Sequence, residues 1–383
     1  MTRASDMGRP HWDKCIAHFD EAVDDFVTDY FGEPDRRCLV VAAAGFDPRS
    51  RRIPTLLSGA LGDRLSGLFV REERGKPDEG LVAAATQNAE ALREMVSDCR
   101  VEPVEIFGVD NAPVAGTRIA SLIANYQISG EMTDIVLDMT ALSIGIGFPA
   151  AKLLLDHCEQ NDLAFHIMIA SNPELDDEIA SEPGDRPMAV RGFAGADRSA
   201  SQREIATIWI PQLAKGRSAA LTEIGRSVGE TYKICPVVPF PARDPRRADA
   251  LVAEFEAQLV DEWQVDPRDI VYVSERNPLD CYRTLSTLKA RYDQTVAEIF
   301  EPSIILSPIG SRVMAAGALM VAIEHDLPVQ YIETVRYDFD PSQPVAEPSE
   351  DMIVHLLLSG PAYRKFQTEV SQTAQTPDSG TEE

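Results

Sequence analysis

The run Ser307-Pro-Ile-Gly-Ser-Arg312 places two hydroxyls, a glycine and a guanidinium between a β-type run, IIL, and the helical run VMAAGALMVAIEH. The first N–H groups of a helix have no intrahelical partner, and they lie at its positive end. Ser307, Gly310, Ser311 and Arg312 are therefore suited to a phosphate or a carboxylate. LDMTALSIGIGF, where an apolar run ends at Asp138 and passes through Thr140 and Ser143 into a helix, has the same form. Asp138 there suits a ribose hydroxyl, a proton-transfer step or a metal, or it simply accepts hydrogen bonds from its loop. Thr140 and Ser143 suit phosphate.

Two further corners add charge. In AAAGFDPRSRR, Gly45 allows a close backbone approach or a positive φ, Asp47 caps or binds, and Arg49 stands nearest the turn as a cationic donor. In VYVSERNP, Glu275 and Asn277 follow another β-type run, Glu275 being an acid that can act as base or nucleophile. The same reasoning marks Arg71, Glu72, Glu333 and Arg336 at the ends of other runs, with Tyr331 and Tyr337 as rings that either stack on a ligand or pack.

Such corners need a scaffold that brings them together. Short apolar runs (CLVVAAA, LSGLFV, PVEIFGV, DIVLDM, AFHIMIA) alternate with helix-patterned segments, and the alternation resumes with YKICPVVPF, DIVYVSE, PSIILSP and PVQYIETV. Strand–helix repetition of this kind predicts an α/β fold of two Rossmann-like units with mainly parallel sheets, whose ligands bind beyond the carboxyl ends of the strands. The periodicity of Trp12, Ile16, Phe19, Val23, Phe26 and Tyr30 predicts an amphipathic helix ahead of them. The expected division is an N-terminal helix over 1–34, a first unit over 35–180, a connector or edge segment over 181–230, a second unit over 231–365 and a disordered tail over 366–383.

Composition narrows the function. The 383 residues carry a formal charge of −26, which disfavours nonspecific binding to duplex DNA while leaving room for a local basic pocket. The six cysteines form no CxxC pair, and no stretch approaches the ~20 apolar residues of a membrane helix. The first residues, MTRASDMGRPHWDK, lack the apolar core of a signal peptide. Together these predict a reduced, cytoplasmic setting without membrane contact. HExxH, DxDxDG and the Walker lysine motif are all missing, and His11 and His18 stand in no metal-ligand pattern, so no metal site is expected. A three-glycine dinucleotide turn is also missing, and the residues name no cofactor.

The expectation is a protein that binds a phosphorylated small molecule, a nucleotide or nucleotide-like compound, to sense it or to process it. Two alternatives stay open. One is an enzyme cleaving or transferring a glycosyl or phosphoryl group through Asp138 or Glu275. The other is a non-catalytic component of a defence or signalling assembly, and a homo-oligomer or protein partner is compatible with each.

Overall fold

The computed structural model describes residues 11–75, 77–195, 203–341 and 351–364. The chain is α/β, with a large, mainly parallel central sheet. That sheet is built on β2 (Cys38–Ala43), β3 (Leu65–Glu73), β4 (Asp98–Glu105), β5 (Asp134–Asp138) and β6 (Ala164–Ser171). All five run parallel. Every residue of β2, β5 and β6 is buried, as expected of strands covered on both faces.

The strand order is β1-β14-β6-β5-β2-β3-β4, where β1 is Ile16–Phe19 and β14 is Met352–Ser359. From β2 the chain moves outward through β3 to β4, crosses back to β5 on the other side of β2, and moves outward again to β6. The order therefore reverses between β2 and β5, which opens a crevice at their carboxyl ends.

The second half repeats this design. Strands β8 (Ile205–Pro211), β9 (Lys233–Ile234) and β12 (Glu301–Ser307) form a parallel sheet in the order β12-β8-β9. A bridge from Gln212 to Val237 joins it to the parallel pair β10 (Val237–Pro239) and β11 (Val271–Val273), and a bridge from Leu306 to Val329 extends it on the other side. After β8 the chain moves one way, to β9 and β10; after β12 it moves the other way. This second reversal lies between β8 and β12.

Helix α10 (Arg312–Glu324) is buried from Val313 to Ala322, apolar all round as a helix packed on every side must be. Gly317 lets it touch the start of α9 (Pro278–Thr295), since a Cβ there would collide with the Pro278 carbonyl and the Cys281 side chain. One apolar core runs from Ile135, Leu137 and Phe148 of the first half to Leu306, Val313 and Leu319 of the second.

Two expectations are corrected. The residues foreseen as one amphipathic helix form β1, the short α1 (Glu21–Phe26) and a π-helical turn over Val27–Phe31. Asp20, at φ 51°, breaks the helix, and pairing of β1 with β14 overrides its helical spacing. Strand β4 begins at Asp98, five residues before PVEIFGV. The stretch 181–230 holds β8 and α7 (Ser218–Val228), together with most of β7 (Ala180–Ala189), which pairs antiparallel with β13 (Gln330–Asp338). Strand β14 returns to the first sheet, antiparallel to β6. The expected tail over 366–383 lies outside the described residues.

Candidate functional site

The two strand-order reversals face each other. Loops after β2 (Gly45, Asp47, Arg49) and β5 (Thr140, Ser143) line the same cavity as loops after β8 (Lys215, Arg217) and β12 (Gly310, Ser311, Arg312). Its volume is about 460 Å³, within the range of small-molecule sites. The lining holds eight basic and seven acidic side chains, against 36 and 62 in the whole chain, so positive charge is concentrated here.

Most of these cations are already paired. Arg49 is held by Asp47 at 2.8 Å and by Asp176 at 2.8 Å, and Asp47 also caps its own turn by accepting from the Arg49 N–H at 2.9 Å. Arg247 makes a two-bond contact with Asp177, at 2.9 and 3.0 Å, and lies 2.7 Å from Glu275. Lys215 lies 3.7 Å from Asp177, Arg74 pairs with Glu72 at 2.9 Å, Arg71 with Glu73 at 3.6 Å and Arg336 with Glu182 at 3.5 Å.

Arg217 and Arg312 are different. Among the described residues, no carboxylate comes within ion-pair distance of either. Burial pushes the Arg217 guanidinium below its usual range, and the charge of Arg312 adds to that effect. Each marks a helix start: Arg217 precedes α7, which receives no side-chain cap, and Arg312 is the first residue of α10, whose cap Ser311 accepts from Met314 N–H at 3.3 Å. Strands β8 and β12 are register neighbours, Pro211 opposite Ser307, and this sets the two loops side by side. Two like charges left together beside two positive helix ends form a ready site for an anion.

The lining also contains buried carboxyls. Glu333, 2% exposed, accepts from the Tyr331 hydroxyl at 2.9 Å. Glu72 accepts from the Ser143 N–H at 2.7 Å, so the start of α5 (Ile144–Asn161) is already served by a carboxylate of the protein itself. That occupant counts against a phosphate at Thr140–Ser143. Burial, reinforced by the charge of Glu72, lifts Glu333 to about 7. Gly145 admits this contact, because a Cβ would collide with the Glu333 carboxyl and the Tyr331 hydroxyl.

Asp138, Glu275, Asn277 and Ser307 do not line the cavity. Asp138 is buried beneath it and accepts from Thr140 N–H at 2.9 Å; burial raises it to about 7. Thr140 in turn accepts from Ala170 N–H at 2.8 Å, fixing the turn after β5. Glu275 is buried against Arg247 and accepts from Arg243 N–H at 3.1 Å. Asn277 caps α9 by accepting from Leu279 N–H at 3.0 Å. Ser307 accepts from the Trp209 indole at 2.9 Å in the core. Gly45 has neither positive φ nor a close neighbour; it borders open space in the cavity. Gly310 does make a close approach, 3.1 Å from a Cβ placed on it to the Gln212 side chain.

Sequence reasoning passed over Lys215, Arg217, Arg74, Asp176, Asp177 and Arg247. Asp176 belongs to the short helix α6 (Pro173–Glu178), which ties Arg49 of the first half and Arg247 of the second into one frame through Asp176 and Asp177. Among the described residues no group of three or more His, Cys, Asp and Glu side chains is placed to hold a metal ion, and no helix is long and apolar enough to cross a membrane.

No protein-family model and no curated protein matches this chain. Among solved structures, the METTL16 MTase domain is 15% identical at a TM-score of 0.22, aligned over 41% of this chain and 54% of that domain. The chain thus spans about half of that domain's length. The cytoplasmic domain of a prokaryotic cation chloride cotransporter is 8% identical at a TM-score of 0.24, over 80% and 97% of the two chains. A putative universal stress protein from Pseudomonas aeruginosa is 11% identical at a TM-score of 0.23, over 80% and 95%. Likeness at this level carries no assignment of function.

Proposed function

We propose that this protein binds a nucleotide or nucleotide-like phosphorylated small molecule in the cleft between its two strand-order reversals, with the phosphate on Arg217 and Arg312. The observation that carries this reading is the pair of guanidiniums without a carboxylate partner, at the starts of two helices in a chain of net charge −26. An unpaired, partly desolvated cation is costly unless something neutralises it, and a second one beside it adds repulsion. A phosphate oxygen accepting from both removes the two costs together.

The cleft's volume of about 460 Å³ holds more than a bare phosphate. The lining also holds the Phe46 and Tyr337 rings, 5.2 Å apart, and the Glu333 carboxyl. A compound that joins a phosphate to a flat polar ring matches that set of groups. Asp138 and Glu275 stand behind the cavity wall, so binding rather than chemistry at those two carboxyls is the reading adopted.

The test is calorimetric titration with nucleoside phosphates and ribose 5-phosphate against the wild type, Arg217→Ala and Arg312→Ala. Each arginine removed is expected to weaken binding roughly tenfold or more, as the loss of a charge-assisted hydrogen bond does. Unchanged affinity in both variants contradicts the assignment.

A further inference from the structure

The Ser143 hydroxyl is buried without a hydrogen-bond partner, in a residue only 6% exposed that lines the cleft. Its backbone N–H is satisfied by Glu72, so the unmet need is that of the side chain alone. Among the described residues with a buried, unpartnered side-chain polar atom, Ser143 is the one that lines the cleft, and a ligand group is the partner this position can receive. Beside it on the same wall is Glu333, held by Tyr331 from its own strand.

Resting on the phosphate-binding reading above, we propose that Ser143 and Glu333 form a donor subsite that reads acceptor atoms on a nucleobase whose phosphate lies at Arg217 and Arg312. The ligand class is then narrowed from phosphorylated compounds in general to nucleotides whose base presents a carbonyl oxygen or an unprotonated ring nitrogen. Tyr337 lines the same cleft, with the Arg74 guanidinium 4.8 Å from its ring centre, and lies near enough to Arg217 to act on it electrostatically. Phe46 completes an aromatic wall along which a planar base can lie.

For Glu333 to donate, it must carry its proton. The charged and titratable groups facing it are Glu72 and Arg74 from the end of β3 and Tyr331 from β13; the first turn of α5 contributes Ser143 and Gly145, and β7 contributes Pro183 and Gly184. Burial and Glu72 favour the acid form, while Arg74 and the Tyr331 hydrogen bond oppose it, and the outcome is titration at about 7. The sign follows: below that pH Glu333 is a donor, and above it an anion that neither donates nor tolerates a ligand acceptor. Binding of the base is therefore gated by pH.

The experiment titrates the full chain at pH 6 and pH 8 with the four ribonucleoside 5′-monophosphates and with ribose 5-phosphate, for wild type, Glu333→Gln, Ser143→Ala and Arg312→Ala. The expected result is that at least one nucleotide binds the wild type about tenfold more tightly at the lower pH, following the acid fraction of Glu333, beyond any change common to all variants. Glu333→Gln, a permanent donor, removes that difference. Ser143→Ala weakens the nucleotide while leaving ribose 5-phosphate unchanged. A Glu333→Gln protein that does not fold leaves the decision to Ser143→Ala, whose small change the site tolerates.

The subsite is overturned by equal responses of nucleotides and ribose 5-phosphate to Ser143→Ala, or by a pH dependence that survives in Glu333→Gln. In that case loss of ribose 5-phosphate binding in Arg312→Ala still upholds the phosphate site. Absence of binding by every probe overturns both.

Discussion

Arg49 and Arg217 share one cavity and have opposite tasks. Arg49 is 5% exposed and saturated by Asp47 and Asp176, so its removal leaves two carboxylates beside each other in a buried frame. Arg49→Ala is expected to destabilise the protein by about 3–5 kcal/mol, read from the denaturant midpoint. Arg217→Ala relieves a cation disfavoured by burial and by Arg312. It is expected to leave the melting temperature of the free protein unchanged or raised while reducing the shift that phosphate ligands produce, a trade of stability for function common at binding sites. Melting curves with and without ligand measure both halves of that statement. The difference also explains what could be read in advance. Arg312 was legible because strand, glycine, serine and helix adjoin in the chain; Arg217 stands in a loose stretch, six residues beyond β8, and meets Arg312 only through the pairing of β8 with β12. Arg49 looked equally available in the sequence because its partner Asp176 is far along the chain.

At the level of elements, the parallel runs were legible because strands buried on both faces are written as continuous apolar segments. Strand β1 was not: four residues at helical spacing become a strand only because β14 offers its edge, and that edge is created by residues more than 300 positions away. The pairing brings three histidines into a chain. His18 meets His355 at 3.0 Å, His355 meets His166 at 2.8 Å, and His166 meets Asp134 at 3.0 Å, with Phe26 stacked on His355. Neutral rings satisfy every link if each donates toward Asp134. Burial lowers His18 and His355 below the ordinary histidine range, so the folded state holds fewer protons than the unfolded chain. Their contribution to stability is present at neutral pH and is lost as pH falls through about 6.5. Asp134 is held down by His166, Thr133 and Tyr30 despite its burial, and adds a loss of the same sign at lower pH. Protection of the Ile16–Phe19 amides against hydrogen exchange, corrected for the intrinsic rate at each pH, is expected to fall below that pH, and a pH-independent protection contradicts the relay.

For the whole molecule, the decisive feature is that neither half closes its site alone. Each sheet supplies one reversal of strand order, α6 ties the frames together, and β14 carries the chain back into the first sheet after the second is complete. Removal of residues from 351 onward is expected to abolish cooperative unfolding, because it strips β6 of a buried neighbour and leaves β1 without its partner; circular dichroism across a thermal scan reads this. The joining of the halves could not be seen in the sequence, since MIVHLLLS carries no mark of which sheet it completes. The central claim is that the cleft holds phosphate on Arg217 and Arg312, and the most direct measurement is calorimetric titration of the wild type and the two single alanine variants with a nucleoside phosphate panel. Saturable binding in the wild type, weakened roughly tenfold or more by either substitution, is the predicted result. Binding that is indifferent to both arginines, or absent throughout the panel, contradicts it.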